Sequence, residues 1–202
     1  MRFSVIIPAH NSAGYIEKAL QSVKSQEFKD YELIVVCDRC TDDTEKIAQQ
    51  YGARTISVDY GLDGMARNVG IDVAQGDWIL FMDDDDWWLH EYVLAMLDSV
   101  IDQNEEDMLC FGFIWKGVGY ARQTKDQVYL AVWSKCWRSS FIGDTRFPAV
   151  PYWSDVGFNQ AIAEKHPKVM FWNMPLYYYN YLREGSISWR AEQGEIERYH
   201  AE

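Results

Sequence analysis

Residues 83–86 are four consecutive aspartates, Asp83-Asp84-Asp85-Asp86, set between the apolar run Trp78 to Met82 and the pair Trp87-Trp88. Each carboxylate raises the cost of ionising its neighbours. A solvated loop would tolerate that charge, but a run emerging from a buried strand asks for a cation. Hard divalent ions such as Mg²⁺ and Mn²⁺ prefer carboxylate oxygens, and Mg²⁺ takes one or two of them together with substrate phosphates. The run therefore favours a metal-phosphate site over a simple acidic loop. A cation there would also stabilise a departing diphosphate. Two further carboxylates stand apart. Asp38 follows the apolar run Leu33 to Val36 and could contact a ligand or close the turn before Thr41. Asp155 heads a helical stretch, where one carboxylate could act as a general base or as a helix N-cap. His10 reads as a loop hydrogen-bonder rather than a metal ligand, and Asn11-Ser12 as helix caps.

These groups sit in an acidic chain. Over 202 residues, 31 Asp and Glu outnumber 19 Lys and Arg, for a net charge of -12. Such a surface repels nucleic acid. It also repels nucleotide phosphates unless a cation or local arginines intervene. At 48% hydrophobic and 25% charged residues, the chain suits one globular domain with a substantial core. Nine Trp and 13 Tyr could supply sugar-stacking faces or core packing, with Trp87, Trp88, Trp133, Trp137 and Trp153 as candidates. Cys37 and Cys40 have CxxC spacing, yet no second pair completes a zinc site, so these and Cys110 and Cys136 are expected as free thiols. No apolar run is long enough for a signal peptide or a membrane span. The expectation is a cytoplasmic protein without a transmembrane segment, with peripheral membrane association left open.

Strand and helix patterns alternate to position the carboxylates. Phe3–Ile7, Leu33–Val36, Arg54–Val58 and Trp78–Met82 read as strands. Ile16-Leu20-Val23, Ile47-Ala48-Tyr51 and Met65 to Ala74 read as the intervening helices. Such alternation implies a mainly parallel, Rossmann-like α/β sheet flanked by helices. Ligands of open α/β sheets bind beyond the carboxyl ends of the strands, where His10-Asn11, Asp38 and Asp83 to Asp86 fall. The second half is less regular: a helix over Tyr92–Ile101, strands over Met108–Trp115, Val128–Val132, Val169–Trp172 and Tyr177–Tyr181, and a helix over Asp155–Glu164. A loose helix is expected in the charged tail after Ser188.

In that order, six segments resemble the inverting GT-A glycosyltransferases of family 2 over about residues 3–190. They are Val5-Ile6-Ile7-Pro8-Ala9-His10-Asn11, Val35 to Asp42, Ala66-Arg67-Asn68-Val69-Gly70, the DxD-like Asp83 to Asp86, Tyr152-Trp153-Ser154-Asp155, and Tyr177-Tyr178-Tyr179 with Arg183 to Ser188. The resemblance implies a GT-A fold with a small acceptor-side region: residues 1–90 as nucleotide-binding half, 91–190 as acceptor-side half, 191–202 as charged tail. It implies transfer of a sugar from a nucleotide-diphosphate sugar, UDP-linked by preference, to a saccharide or glycoconjugate hydroxyl, with Mn²⁺ or Mg²⁺ as cofactor. By analogy the setting is surface polysaccharide synthesis. Residue by residue, Pro8 and His10 would line the base pocket beside Asn11, Asp38 would bond the base, and Arg67 would approach the base or diphosphate. Asp83 would face the donor, Asp84 and Asp86 would be supporting or merely exposed, Asp85 would bind the metal, and Arg183 and Ser186 would close over the diphosphate. Asp155 would be the catalytic base, and Trp153 would contact the acceptor.

Two positions depart from the family pattern. Cys37 stands where an aspartate is common, leaving one base-contacting carboxylate, and Ser154 replaces the glutamate before the base. The alternatives are a catalytically silent nucleotide-sugar-binding module and a sugar nucleotidyltransferase. The latter calls for a basic, glycine-rich first loop, whereas here no basic residue precedes Lys18 after His10 in His10-Asn11-Ser12-Ala13-Gly14.

Overall fold

The elements follow the chain as β1 (Phe3–Ala9), α1 (Ile16–Lys24), β2 (Tyr31–Asp38), α2 (Thr44–Gln50), β3 (Arg54–Val58), α3 (Asp63–Val73), β4 (Trp78–Phe81), β5 (Trp87–Trp88), α4 (Val93–Ile101), β6 (Met108–Trp115), β7 (Gly119–Ala121), β8 (Lys135–Arg138), α5 (Ser139–Ile142), α6 (Ser154–Ala163), β9 (Val169–Tyr179) and α7 (Ile187–Glu192). The structure, a computed structural model, describes residues 1–101 and 105–196. The part of the expected tail helix beyond residue 196 lies outside them, and what is described is the short α7.

All the strands join one sheet, in the order β3-β2-β1-β4-β8-β6-β9-β5, with β7 paired to β6. β1 pairs in parallel with β2 from Phe3↔Tyr31 to Ala9↔Cys37, and with β4 from Phe3↔Trp78 to Ile6↔Phe81. β2 and β3 are also parallel. Parallel order in the first half is thus as expected. The rest is mixed: β8 runs antiparallel to both β4 and β6, and β6 and β9 are parallel.

Period-two alternation in the strands builds both layers of the core. Phe3, Val5 and Ile7 share one layer of the core with Leu20 of α1 and Leu97 of α4, whereas Ile6 lies in the other with Ala66 and Ile71 of α3. Burial on both faces explains the near-continuous apolar runs. Two close approaches need glycine. A Cβ at Gly70 would lie 2.4 Å from Ile6 Cγ2, and one at Gly76 2.5 Å from the Ser4 backbone nitrogen.

Three expectations are corrected. Residues 128–132 are not a strand: the chain there is irregular and ends in a 3₁₀ turn, Val132–Ser134, and the strand begins at Lys135. Val169–Trp172 and Tyr177–Tyr179 form one strand, with register shifts against β6 around Gly112. Asn11 and Ser12 do not cap α1, whose N-cap position is Tyr15. Asn11 Oδ1 instead accepts the Thr41 N–H (2.8 Å), and Ser12 Oγ donates to Asp84.

Candidate active site

Asp38 ends β2, and its carboxylate accepts the backbone N–H groups of Tyr60 (2.8 Å), Gly61 (2.9 Å) and Leu62 (2.9 Å). It therefore closes the β3–α3 loop, not the turn before Thr41. His10 Nδ1 lies 2.6 Å from the Asp38 carbonyl, which ties the ends of β1 and β2 together. The loop shaped by Asp38 leads into α3, where Asp63 and Arg67 sit one turn apart on the same face.

Arg67 is 4% exposed, and its guanidinium is spent on carboxylates. It pairs with Asp63, with Asp83 at 2.8 Å and with Asp155 at 3.5 Å. Its Nε is buried without a partner. Three acidic neighbours hold Arg67 well above even its ordinary basicity, against the cost of burial. Arg67 thus joins the end of β4 to α6 by way of α3.

The four aspartates differ sharply in environment. Asp83 bonds Arg67, and its N–H donates to the Tyr177 hydroxyl (3.1 Å). Asp84 accepts from Ser12, and Asp85 accepts from Arg183 Nε (2.6 Å), whose guanidinium lies 4.0 Å from the centre of the Tyr15 ring. Asp86 is 1% exposed and accepts from Tyr177 Oη (2.7 Å) and from the Asn180 N–H (2.8 Å). It anchors the loop, which corrects its reading as a supporting or merely exposed carboxylate. Burial first, then the neighbouring carboxylates, push Asp84 and Asp86 above the usual carboxylate range. At Asp83 burial outweighs the opposing pull of Arg67.

Asp155 is the second residue of α6, one place inside the helix rather than at its N-cap. Trp153 occupies the cap in the left-handed region (φ 62°), and this turn aims Asp155 inward. Its Oδ2 accepts the Val132 N–H (3.0 Å) while its Oδ1 faces Arg67. Burial raises the Asp155 pKa, and the Arg67 charge opposes the rise. The preceding Ser154 is buried and donates to Asp63 at 3.2 Å, while a Cβ at Gly64 would lie 2.8 Å from the Ser154 Cβ. The tight α3–α6 contact accounts for a small residue at this position.

A cleft of about 1130 Å³ gathers these groups. Pro8, His10, Asp38, Arg67, Asp83, Asp84 and Asp85 line it together with Trp153, Asp155, Arg183 and Ser186. Of the expected site residues, Asn11 alone is not among the lining residues; it acts on the loop through Thr41. Ser186 Oγ also accepts the Trp189 N–H and caps α7. Aromatic side chains from the second half, Trp115, Tyr129, Trp133, Tyr179 and Tyr181 among them, form an apolar wall. Trp133 stacks one face on Tyr177 at 4.5 Å, and Trp137 is wholly buried, so Trp137 is not a sugar platform. Asp63 and the Val132 amide were not singled out from sequence, and Tyr177 entered only as part of the Tyr177-Tyr178-Tyr179 segment. Asp63 left a trace in its i,i+4 spacing from Arg67.

Among the described residues no three Asp, Glu, His or Cys side chains converge closely enough to hold an ion by themselves. The donor set suits instead the mode in which one or two carboxylates share a hard cation with ligand phosphates. Crowded carboxylates with raised pKa values fit that reading, because an added positive charge relieves them. Among the described residues no helix is long and apolar enough to cross a membrane.

A cleft over the carboxyl ends of parallel strands, beside a carboxylate run, fits the GT-A fold, and solved structures similar to this one have that fold. A model of glycosyl transferase family 2 matches residues 4–162, and the chain belongs to that family. It is 24% identical over 219 residues to glycosyltransferase GlyA of Streptococcus pneumoniae, covering 93% of this chain and 31% of GlyA. Over 117 residues it is 34% identical to the poly(ribitol-phosphate) beta-N-acetylglucosaminyltransferase TarS of Staphylococcus aureus, covering 54% of this chain and 20% of TarS. The structure of TarS 1-349 in complex with UDP-GlcNAc superposes with a TM-score of 0.82 at 25% identity, over 92% of this chain and 60% of that one. A mannosyltransferase from Pyrobaculum calidifontis, in complex with GDP-Man and Mn²⁺, shares the fold at a TM-score of 0.76 and 15% identity, over 96% of this chain and 61% of its own. The chain therefore spans a third or less of these two curated relatives.

Proposed function

We propose that the protein transfers a sugar from a nucleotide-diphosphate sugar, UDP-linked by preference, to a hydroxyl of a saccharide or glycoconjugate acceptor, with inversion. The observation that carries this reading is Asp155, a carboxylate held by one backbone N–H and facing the Asp83–Asp85 run within one cleft. In this role Asp155 accepts the proton of the acceptor hydroxyl, whose oxygen attacks the anomeric carbon as the diphosphate leaves from the opposite face. Pro8 and His10 line the base pocket. Asp38 keeps lone pairs beyond those taken by the loop amides and can also accept from the base. Asn11 fixes the loop from below, while Asp83 and Asp84, with Arg67 behind them, face the donor. Arg183 and Ser186 flank the diphosphate, and Trp153 meets the acceptor. Asp85 would hold Mn²⁺ or Mg²⁺, which when bound offsets diphosphate charge. Residues 1–90 are then the donor half, 91–190 the acceptor half and 191–202 a charged tail. Likeness to TarS, solved with UDP and with UDP-GlcNAc, supports a UDP-linked donor, and the proposal includes a setting in surface polysaccharide synthesis, on the cytoplasmic side with peripheral membrane association.

The test is UDP binding with and without Mn²⁺ or Mg²⁺, followed by turnover of UDP- and GDP-sugars. Asp85→Ala is expected to weaken metal-supported UDP binding by about tenfold or more, the scale of one charge-assisted contact. Unchanged affinity in Mn²⁺ removes Asp85 as the metal ligand. Binding without hydrolysis or transfer of any donor would mark a silent nucleotide-sugar-binding module.

A further inference from the structure

Residues 128–131 form neither helix nor strand, and polar side chains hold their backbone. Gln123 Oε1 accepts the Tyr129 N–H (3.0 Å), and Asn159 Nδ2 donates to Leu130 O (2.5 Å). Lys135 Nζ donates to Tyr129 O (2.5 Å) and Ala131 O (2.7 Å). The next backbone N–H, that of Val132, is the one that donates to Asp155. Lys135 is 0% exposed. An ammonium so buried is costly unless it is bonded and paired, and burial pushes its pKa down to about 8 against the pull of Cys110 and Asp155. Nothing in β8 pairing needs a charge here, since a methionine would fill the same length. The charge makes sense through what it grips.

We propose that Lys135 is a positioning residue for the base: by clamping the carbonyls of Tyr129 and Ala131 it presents the Val132 N–H to the Asp155 carboxylate. The inference rests on the reading of Asp155 as general base. Asp155 is faced by Arg67 and Asp63 from α3, Asp83 after β4, Tyr129 and Val132 from the loop, and Lys135 from β8. Lys135 is faced by Cys110 from β6 and by Asp155. Both the amide and the ammonium favour the ionised carboxylate. Removing either moves the proton affinity of Asp155 upward.

Three variants test this. Lys135→Met matches the length and removes charge and donors, and Lys135→Gln retains an amide donor. Val132→Pro removes the N–H, at the cost of also replacing a buried core side chain. It falls on the first residue of the 3₁₀ turn, after Ala131 at φ -64° and ψ 136°, where both proline and its preceding residue are accommodated. Lys135→Met is expected to lower kcat about tenfold and move the acidic limb of kcat/KM up by about one pH unit, the scale of one lost bond to a charged group. Donor KM and UDP affinity stay near wild type. Lys135→Gln gives a smaller shift, and Val132→Pro shifts the limb in the same direction. Adding Lys135→Met to Val132→Pro then costs less than the two separate losses combined. An unmoved acidic limb in folded Lys135→Met, or in Val132→Pro should Lys135→Met fail to fold, overturns the proposal. Asp155→Asn separates the two readings: if it retains activity, the base assignment itself fails. If it is inactive while the Lys135 and Val132 variants behave as wild type, only the present inference falls.

Discussion

The two walls of the cleft are held by different means. On the donor side, parallel strands pair along their whole length, and the site residues are what the chain carries as it leaves β1, β2 and β4. On the acceptor side, the stretch before β8 makes little backbone pairing of its own. Gln123, Lys135, Asn159 and Asp155 satisfy its amides and carbonyls. The first wall is specified by main-chain geometry and apolar alternation, the second by a few buried polar side chains. A substitution should therefore act globally on one side and locally on the other.

The largest effect is expected where the walls meet. Asp155→Asn should lower kcat by about 10²–10⁴-fold, the usual contribution of a general base, while UDP binding stays intact. In the wild type, burial raises the Asp155 pKa, so the proton is retained to higher pH than on an ordinary carboxylate. Activity should thus be lost on the acid side, through a pKa above about 3.9, and a pH profile of kcat/KM reads this directly. A profile flat down to pH 4 would contradict the assignment. Next in size is Gly76→Ala, whose Cβ meets the backbone of Phe3 and Ser4. Overpacking against main chain should cost about 1–3 kcal/mol, lowering Tm and with it every activity, including UDP binding. Smallest is Gln123→Ala, which leaves Phe111 O, Ser134 O and the Tyr129 N–H without their partner. Each orphaned group costs up to about 1–3 kcal/mol, but water entering the space left by the side chain should recover most of that loss, leaving the net effect below that of Gly76→Ala. Turnover should fall while UDP affinity is retained. If Gln123→Ala weakens UDP binding as much as Gly76→Ala does, the two walls are not independently held.

Legibility followed the same division. Near-continuous apolar runs, ended by Pro8, Asp38 and Asp83, announced the parallel strands and placed the ligand groups at their carboxyl ends. The hub at Arg67 was half legible: its spacing from Asp63 is local, but its contacts with Asp83 and Asp155 span 16 and 88 positions and leave no periodic mark. Val128–Val132 misled because its β-branched and aromatic residues suit a strand, whereas Gln123 and Lys135 offer its backbone other partners. Asp86 was hidden by its neighbours, since four identical residues give no hint which one turns inward.

β4 belongs to both walls, pairing with β1 on one edge and β8 on the other. A seam of that kind is a ladder, not a hinge. The donor and acceptor sides cannot swing apart as separate lobes without breaking the hydrogen bonds of Trp78 to Leu80, so access to the cleft has to come from its loops.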